Sequence, residues 1–177
     1  MIVILMGVSG AGKTTVGELL AAQLGWPFYD GDGFHPAANV AKMSRGVALT
    51  DEDRWPWLEA LRDHIRALAA EGRSAVVACS ALRASYRDRL LVGSEHARLV
   101  YLKGSYELID ERLRARSGHF FDAGLLATQF EALEEPGDVI AVDVEQTPER
   151  VVAEIRRRLG LEEEAEDQGD GEADEAH

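Results

Sequence analysis

Cysteine occurs once in the 177 residues, at Cys79, so no intramolecular disulfide can form. A lone thiol suits a reducing compartment, and the expected location is the cytoplasm. Long apolar runs are also missing. The opening MIVILM gives only six residues before Gly7, too few for a membrane span and without the basic start of a secretory leader. It reads as a buried strand, and no membrane partner is expected. Basic charge is in deficit, with 19 Lys and Arg against 32 Asp and Glu, which argues against a nucleic-acid partner. The deficit is uneven: residues 162–177 hold nine carboxylates and no Lys or Arg. Residues 161–177 therefore read as a solvated, disordered acidic tail, and 1–160 as one mildly acidic domain.

What is present is a normal share of core-forming residues, 46% hydrophobic, arranged in alternation. Apolar strand-like runs occur at 2–6, 27–30, 74–79, 97–102 and 138–144. Helical patterns fill the intervals at 13–24, 51–72, 83–91, 106–116, 123–134 and 148–159. Thr50 followed by acidic residues marks a helix start, and Gly72 a stop. Strands apolar throughout and separated by helices predict an α/β fold with a parallel sheet covered on both faces.

GVSGAGKT, Gly7–Thr14, matches the GxxxxGK[ST] pattern at every fixed position, between a strand and a helical pattern. The glycines permit a tight turn that aims backbone N–H groups inward at a helix start, forming an anion nest. Gly7, Val8, Ser9, Gly10, Ala11, Gly12, Lys13, Thr14 and Thr15 are the expected nucleotide contacts. Lys13 would meet the β- and γ-phosphates of ATP, and the Thr14 hydroxyl would ligate Mg²⁺.

Such a site needs a further carboxylate, commonly at the end of another strand. The run SAVVACSAL ends in Cys79 and Ser80 with no acid. YDGDGFHP, residues 29–36, supplies two. A bare Asp-x-Asp is ordinarily turn chemistry. Ligands of parallel sheets, however, gather at the carboxyl ends of strands, so Asp30 and Asp32 would reach the same edge as the glycine-rich loop. Asp30 is assigned to Mg²⁺ through water. Asp32 is assigned to the acceptor hydroxyl as base or orienting group for in-line transfer.

GVSGAGKT, DGDGFHPAANVAKMSRGVALTDEDRWPWL, CSALRASYRDRL, YLKG and RSGHFF…TQFEALEEP together resemble the short P-loop gluconokinases, relatives of shikimate kinase and nucleoside monophosphate kinases. The resemblance spans about residues 2–155, with Ala11 where many members carry Ser. It implies a three-layer P-loop NTPase fold with a five-stranded parallel sheet and an acceptor-binding helical segment, about 33–72. It also implies a small lid at about 117–123, and transfer from Mg²⁺–ATP to D-gluconate giving 6-phosphogluconate. Kinases of this type are often homodimers.

The remaining candidates carry two readings each. His35 is either structural or a substrate contact. Arg54 either pairs with Asp51 or Asp53, or offers a planar fork to a gluconate carboxylate. Trp55 and Trp57 cannot share a helix face, so one belongs to the core and the other is free to wall the acceptor site. Ser80 is a helix N-cap, an acceptor contact, or both, and Arg83 lies near the acceptor. Arg112 and Arg116 share a face that Arg114 does not. By resemblance Arg112 lies against adenine, Arg116 acts on the transferred phosphate, and His119 belongs to the lid and reaches substrate.

Two rivals remain. One is another small-molecule kinase on this scaffold, acting on shikimate, adenylylsulfate or a nucleotide; adenylylsulfate kinases also carry DGD, but FHP, CSALR and GHFF favour gluconate. The other is a GTP-dependent switch, since DGDG satisfies DxxG, yet no NKxD guanine motif occurs anywhere in the chain.

Overall fold

Five short apolar runs become strands β1 (Ile2–Met6), β2 (Phe28–Asp30), β3 (Ala75–Ala78), β4 (Ala97–Lys103) and β5 (Ile140–Asp143). They form one parallel sheet in the order β2-β3-β1-β4-β5. The computed structural model describes residues 1–93, 95–115 and 123–162. Helices α1 (Lys13–Leu24), α2 (Ala37–Ser44), α3 (Asp51–Ala70), α4 (Ala84–Leu91), α5 (Tyr106–Ala115), α6 (Ala123–Ala132) and α7 (Pro148–Leu159) complete the described residues.

Because strand side chains alternate, the sheet presents two apolar faces and therefore needs two helical layers. Ile2, Ile4, Met6, Val77 and Tyr101 pack with Leu58, Leu61 and Ile65 of α3 and Leu90 of α4. Val3, Leu5, Val100 and Val142 pack with Leu20 of α1, Ile109 of α5, Leu126 of α6 and Ile155 of α7. Each fully buried aliphatic side chain contributes roughly 1.5–3 kcal/mol, so the two layers hold the strand ends, and the loops leaving them, in fixed relation.

The start of α3 follows the sequence signal. Asp53 N–H donates to Thr50 Oγ1 at 3.3 Å, and Thr50 N–H donates to the Asp53 carboxylate at 2.9 Å, closing a capping box. At the far end Gly72 (φ +69°) donates its N–H to Ala69 O at 3.0 Å.

Two elements depart from the sequence reading. Residues 31–44 hold a short 3-10 helix, Gly31–Phe34, and then α2, which periodicity did not indicate. Ser80 is not a helix N-cap: α4 begins at Ala84 with Arg83 as its cap residue and no side chain capping from within the turn. Glu134 does that work from afar, its Oε2 accepting from Ala84 N–H at 2.6 Å while its own N–H donates to Leu82 O at 2.9 Å.

The turn between β3 and α4 is strained. Buried Ala81 has φ +43°, an unfavourable value for a residue with a Cβ. Arg87, only 8% exposed, secures it by donating to Ala81 O at 3.0 Å and Leu82 O at 2.9 Å. No helix among the described residues is long and apolar enough to cross a membrane. The expected lid apart from Ala123, Arg116 and His119, and the acidic tail beyond Glu162, lie outside the described residues.

Candidate active site

The loop leaving β1 makes the tight turn its glycines permit. Gly10 (φ +84°) and Gly12 (φ +94°) adopt left-handed conformations. A Cβ on Gly10 would also lie 2.8 Å from Leu113 Cγ, so α5 rests directly on the loop. Lys13 Nζ donates to Gly7 O at 2.9 Å and Val8 O at 3.0 Å. Gly7 N–H donates to Ser80 O at 3.4 Å, joining the loop to the end of β3.

Burial lowers the Lys13 pKa below its ordinary value, opposed by the fields of Asp32, then Cys79, then Asp30. The acidic turn and the cradle leave the same carboxyl edge of the sheet, after β2 and β1. Cys79, which follows β3 between them, is fully buried, and that burial pushes its thiol up to about 12. It stays a neutral thiol rather than a nucleophile.

The acidic turn is clamped in place. Asp30 ends β2 and accepts from Asp32 N–H at 3.0 Å, capping the 3-10 helix. Gly31 is required by space: a Cβ there would come 2.5 Å from Ala78 O and 3.1 Å from Leu61 Cδ2. Trp57 Nε1–H donates to Gly31 O at 2.7 Å. The Asp32 side chain stands 77% exposed.

His35 packs flat on Trp57, ring centroids 4.2 Å apart, with Nε2 4.0 Å from Asp32 Oδ1. Buried Asn39 fixes its tautomer. Asn39 Nδ2 donates to Asp53 O at 2.8 Å and lies 3.3 Å from His35 Nδ1, so Nδ1 accepts and the proton sits on Nε2, facing Asp32. Burial lowers the His35 pKa, against Asp32 and with help from Arg54. The sign follows by linkage. Below the ordinary value of 6.5 the unfolded chain takes up a proton that the fold refuses, so stability present above pH 6.5 is lost as pH falls toward the lowered folded value. His35→Gln should flatten this part of a melting-temperature profile recorded from acid to neutral pH; an unchanged slope would assign it to other groups.

Arg54 and Arg83 meet at Asp51. Arg83 Nη1 lies 3.4 Å from Asp51 Oδ2 and Arg54 Nη1 3.8 Å from Asp51 Oδ1. Tyr86 donates its O–H to the same carboxylate, and both guanidinium groups sit over its ring, at 5.5 and 5.8 Å. Asp53 pairs instead with Lys42 at 2.7 Å. Trp57 is the core tryptophan. Trp55 is half-buried, edge-on to Tyr86 with Arg89 over it.

On the other side of the cradle a cleft of about 310 Å³ is lined by Gly12, Thr15, Arg112, Val144, Gln146 and Pro148 among others. Arg112 donates to Val144 O, linking α5 to the loop after β5. Arg114 turns away to Asp110, as its spacing required. Tyr86 and Gln129 were not singled out from the sequence, because each acts through a partner distant along the chain; Asn39 was also missed.

A parallel 2-3-1-4-5 sheet with a phosphate cradle after β1 and an acidic turn after β2, flanked by a second cleft, defines a P-loop small-molecule kinase. The shikimate kinase family model matches residues 9–160. The chain is 47% identical over 156 residues to the thermoresistant gluconokinase of Escherichia coli (strain K12), covering 86% of this chain and 89% of that one. Two solved structures superpose closely: a sugar kinase from Janibacter sp. HTCC2649 (TM-score 0.82, 40% identity, 90% and 94% coverage) and a gluconokinase from Sinorhizobium meliloti 1021 (TM-score 0.77, 41% identity, 90% and 95% coverage). The chain belongs to the gluconokinase family, within the shikimate-kinase group of P-loop kinases.

Proposed function

We propose that the protein transfers the terminal phosphoryl group of ATP to the 6-hydroxyl of D-gluconate, giving ADP and 6-phospho-D-gluconate in the cytoplasm. The observation that supports this reading is the placement of Lys13, Asp30 and Asp32 at one carboxyl edge of the parallel sheet, where the fields of both carboxylates reach Lys13. The identity of the acceptor rests on kinship with proteins named gluconokinases.

In this reading the backbone of Gly7–Thr15 cradles the phosphates, Lys13 neutralises charge developing on the transferred group, and Arg112 borders the adenine in the cleft beside Gln146. Asp32 accepts the hydroxyl proton of the acceptor, and the His35 Nε2–H beside it orients that carboxylate or the sugar alcohol. Arg54 and Arg83 exchange their exposed pairing with Asp51, worth little in water, for the carboxylate of the sugar acid. Ser80 borders the acceptor. Arg116 and His119 retain the roles the resemblance implies, on the transferred phosphate and at the acceptor.

A magnesium ion carried in by ATP needs only one or two protein oxygens. The exposed Thr14 hydroxyl and the exposed Asp30 carboxylate are hard oxygen donors that fit it. Bound there, the ion neutralises phosphate charge.

A coupled assay for ADP across D-gluconate, other aldonic acids, shikimate and adenylylsulfate tests the reading. D-gluconate should be the preferred acceptor by kcat/KM. Preference for shikimate or adenylylsulfate would overturn it, and GTP binding without transfer to any acceptor would revive the switch.

A further inference from the structure

Gln129 of α6 makes a two-point contact with the cradle, 120 residues away in sequence. Ser9 N–H donates to Gln129 Oε1 at 2.7 Å, and Gln129 Nε2 donates to Ser9 Oγ at 2.9 Å. A backbone N–H can only donate, so the carboxamide oxygen must face it and the NH₂ must face the hydroxyl. The orientation of the amide is therefore fixed.

Two consequences follow from this pairing. Ser9 lies inside the glycine-rich loop, yet its N–H is committed to Gln129, as that of Gly7 is to Ser80 O. The Ser9 hydroxyl accepts from Gln129, which leaves its own proton to be donated elsewhere. Among the described residues nothing accepts that proton.

We propose that Gln129 is a positioning residue for phosphoryl transfer: its carboxamide holds the Ser9 hydroxyl as a preset proton donor toward the terminal phosphoryl oxygens, and ties α6 to the cradle. The inference rests on the kinase reading above. A preset donor needs no reorganisation as charge moves onto the transferred group, so its benefit appears in kcat more than in ground-state affinity. Helix α5 already presses Leu113 against Gly10. Gln129 fastens the neighbouring loop position to α6, so the helices on either side of residues 116–122 are both keyed to the phosphate loop.

Gln129→Glu is the sharpest probe. A carboxylate of nearly the same shape still accepts from Ser9 N–H but cannot donate to Ser9 Oγ. The hydroxyl then turns its proton to the carboxylate and loses its role as a donor to phosphate.

The experiment compares wild type, Gln129→Glu, Gln129→Ala, Ser9→Ala and the Ser9→Ala/Gln129→Ala double variant. Each is measured for kcat and KM with ATP and D-gluconate, for ATP hydrolysis without acceptor, and for melting temperature. Each single variant should lose about tenfold or more in kcat, with KM for ATP within about threefold of wild type. The double variant should lose no more than the worse alanine single, because both remove one device. The acceptor-free hydrolysis rates should follow the same order.

Wild-type kcat in Gln129→Glu or Ser9→Ala, a loss confined to KM, or fully additive losses would each overturn the proposal. So would a fall in melting temperature with kcat unchanged, which would make the contact a structural brace. If wild type hydrolyses ATP with this pattern but ignores D-gluconate, the acceptor assignment fails and the role of Gln129 stands.

Discussion

Asparagine in place of Asp32 is expected to lower kcat by about 10²- to 10⁴-fold while leaving the KM for ATP within about threefold. Asparagine has the same size, and the bond that shapes the turn, from residue 32 N–H to Asp30, does not involve the altered side chain. What is lost is the charge proposed to accept a proton or align the hydroxyl that carries it, on a side chain that stands 77% exposed. The cradle lies on a different strand loop, so ATP should still bind. The alkaline limb of the pH profile gives an internal check. The Asp32 field is the largest influence opposing the burial that lowers the Lys13 pKa, so without it Lys13 should shed its proton at lower pH. Asp32→Glu keeps the charge but moves it by one methylene and should also lose activity. Retained turnover in either variant, or a large loss of ATP binding, would remove Asp32 from the acceptor side.

Lys13→Ala should be at least as damaging, by a different route. One preset donor to a developing negative charge is worth about 10²- to 10³-fold in kcat. Lys13 also gathers the carbonyls of Gly7 and Val8, so its loss loosens the loop that binds nucleotide. Both kcat and ATP affinity should fall, as read by steady-state kinetics and by titration of a fluorescent ATP analogue. An alanine variant that binds ATP normally would confine Lys13 to the chemical step.

The difference between these variants mirrors what could be read along the chain. Cradle, helix start and acidic turn each carry their chemistry within a few residues, and strand polarity brings them to one edge, so Lys13, Asp30 and Asp32 were legible. Helix α2 was not. Its one buried residue is Asn39, and it exposes Val40 and Met43, so its inward face is polar and leaves no hydrophobic period to detect. The reading of Ser80 as an N-cap failed because α4 is capped by Glu134, 50 residues beyond Ala84. Gln129 fell inside an expected helix, where a glutamine is unremarkable until Ser9 is brought to it. Local patterns expose the glycine-rich loop and the acidic turn; long-range hydrogen bonds hide the residues that brace them.

The buried Cys79 thiol carries a chemical consequence. Peroxides and electrophiles attack thiolates they can reach, and Cys79 is neither ionised at neutral pH nor accessible, being 1% exposed with its pKa near 12. No other sulfhydryl exists in the chain to form a mixed disulfide. Catalytic output should therefore be insensitive to thiol-directed oxidants and alkylating agents that silence enzymes with reactive cysteines.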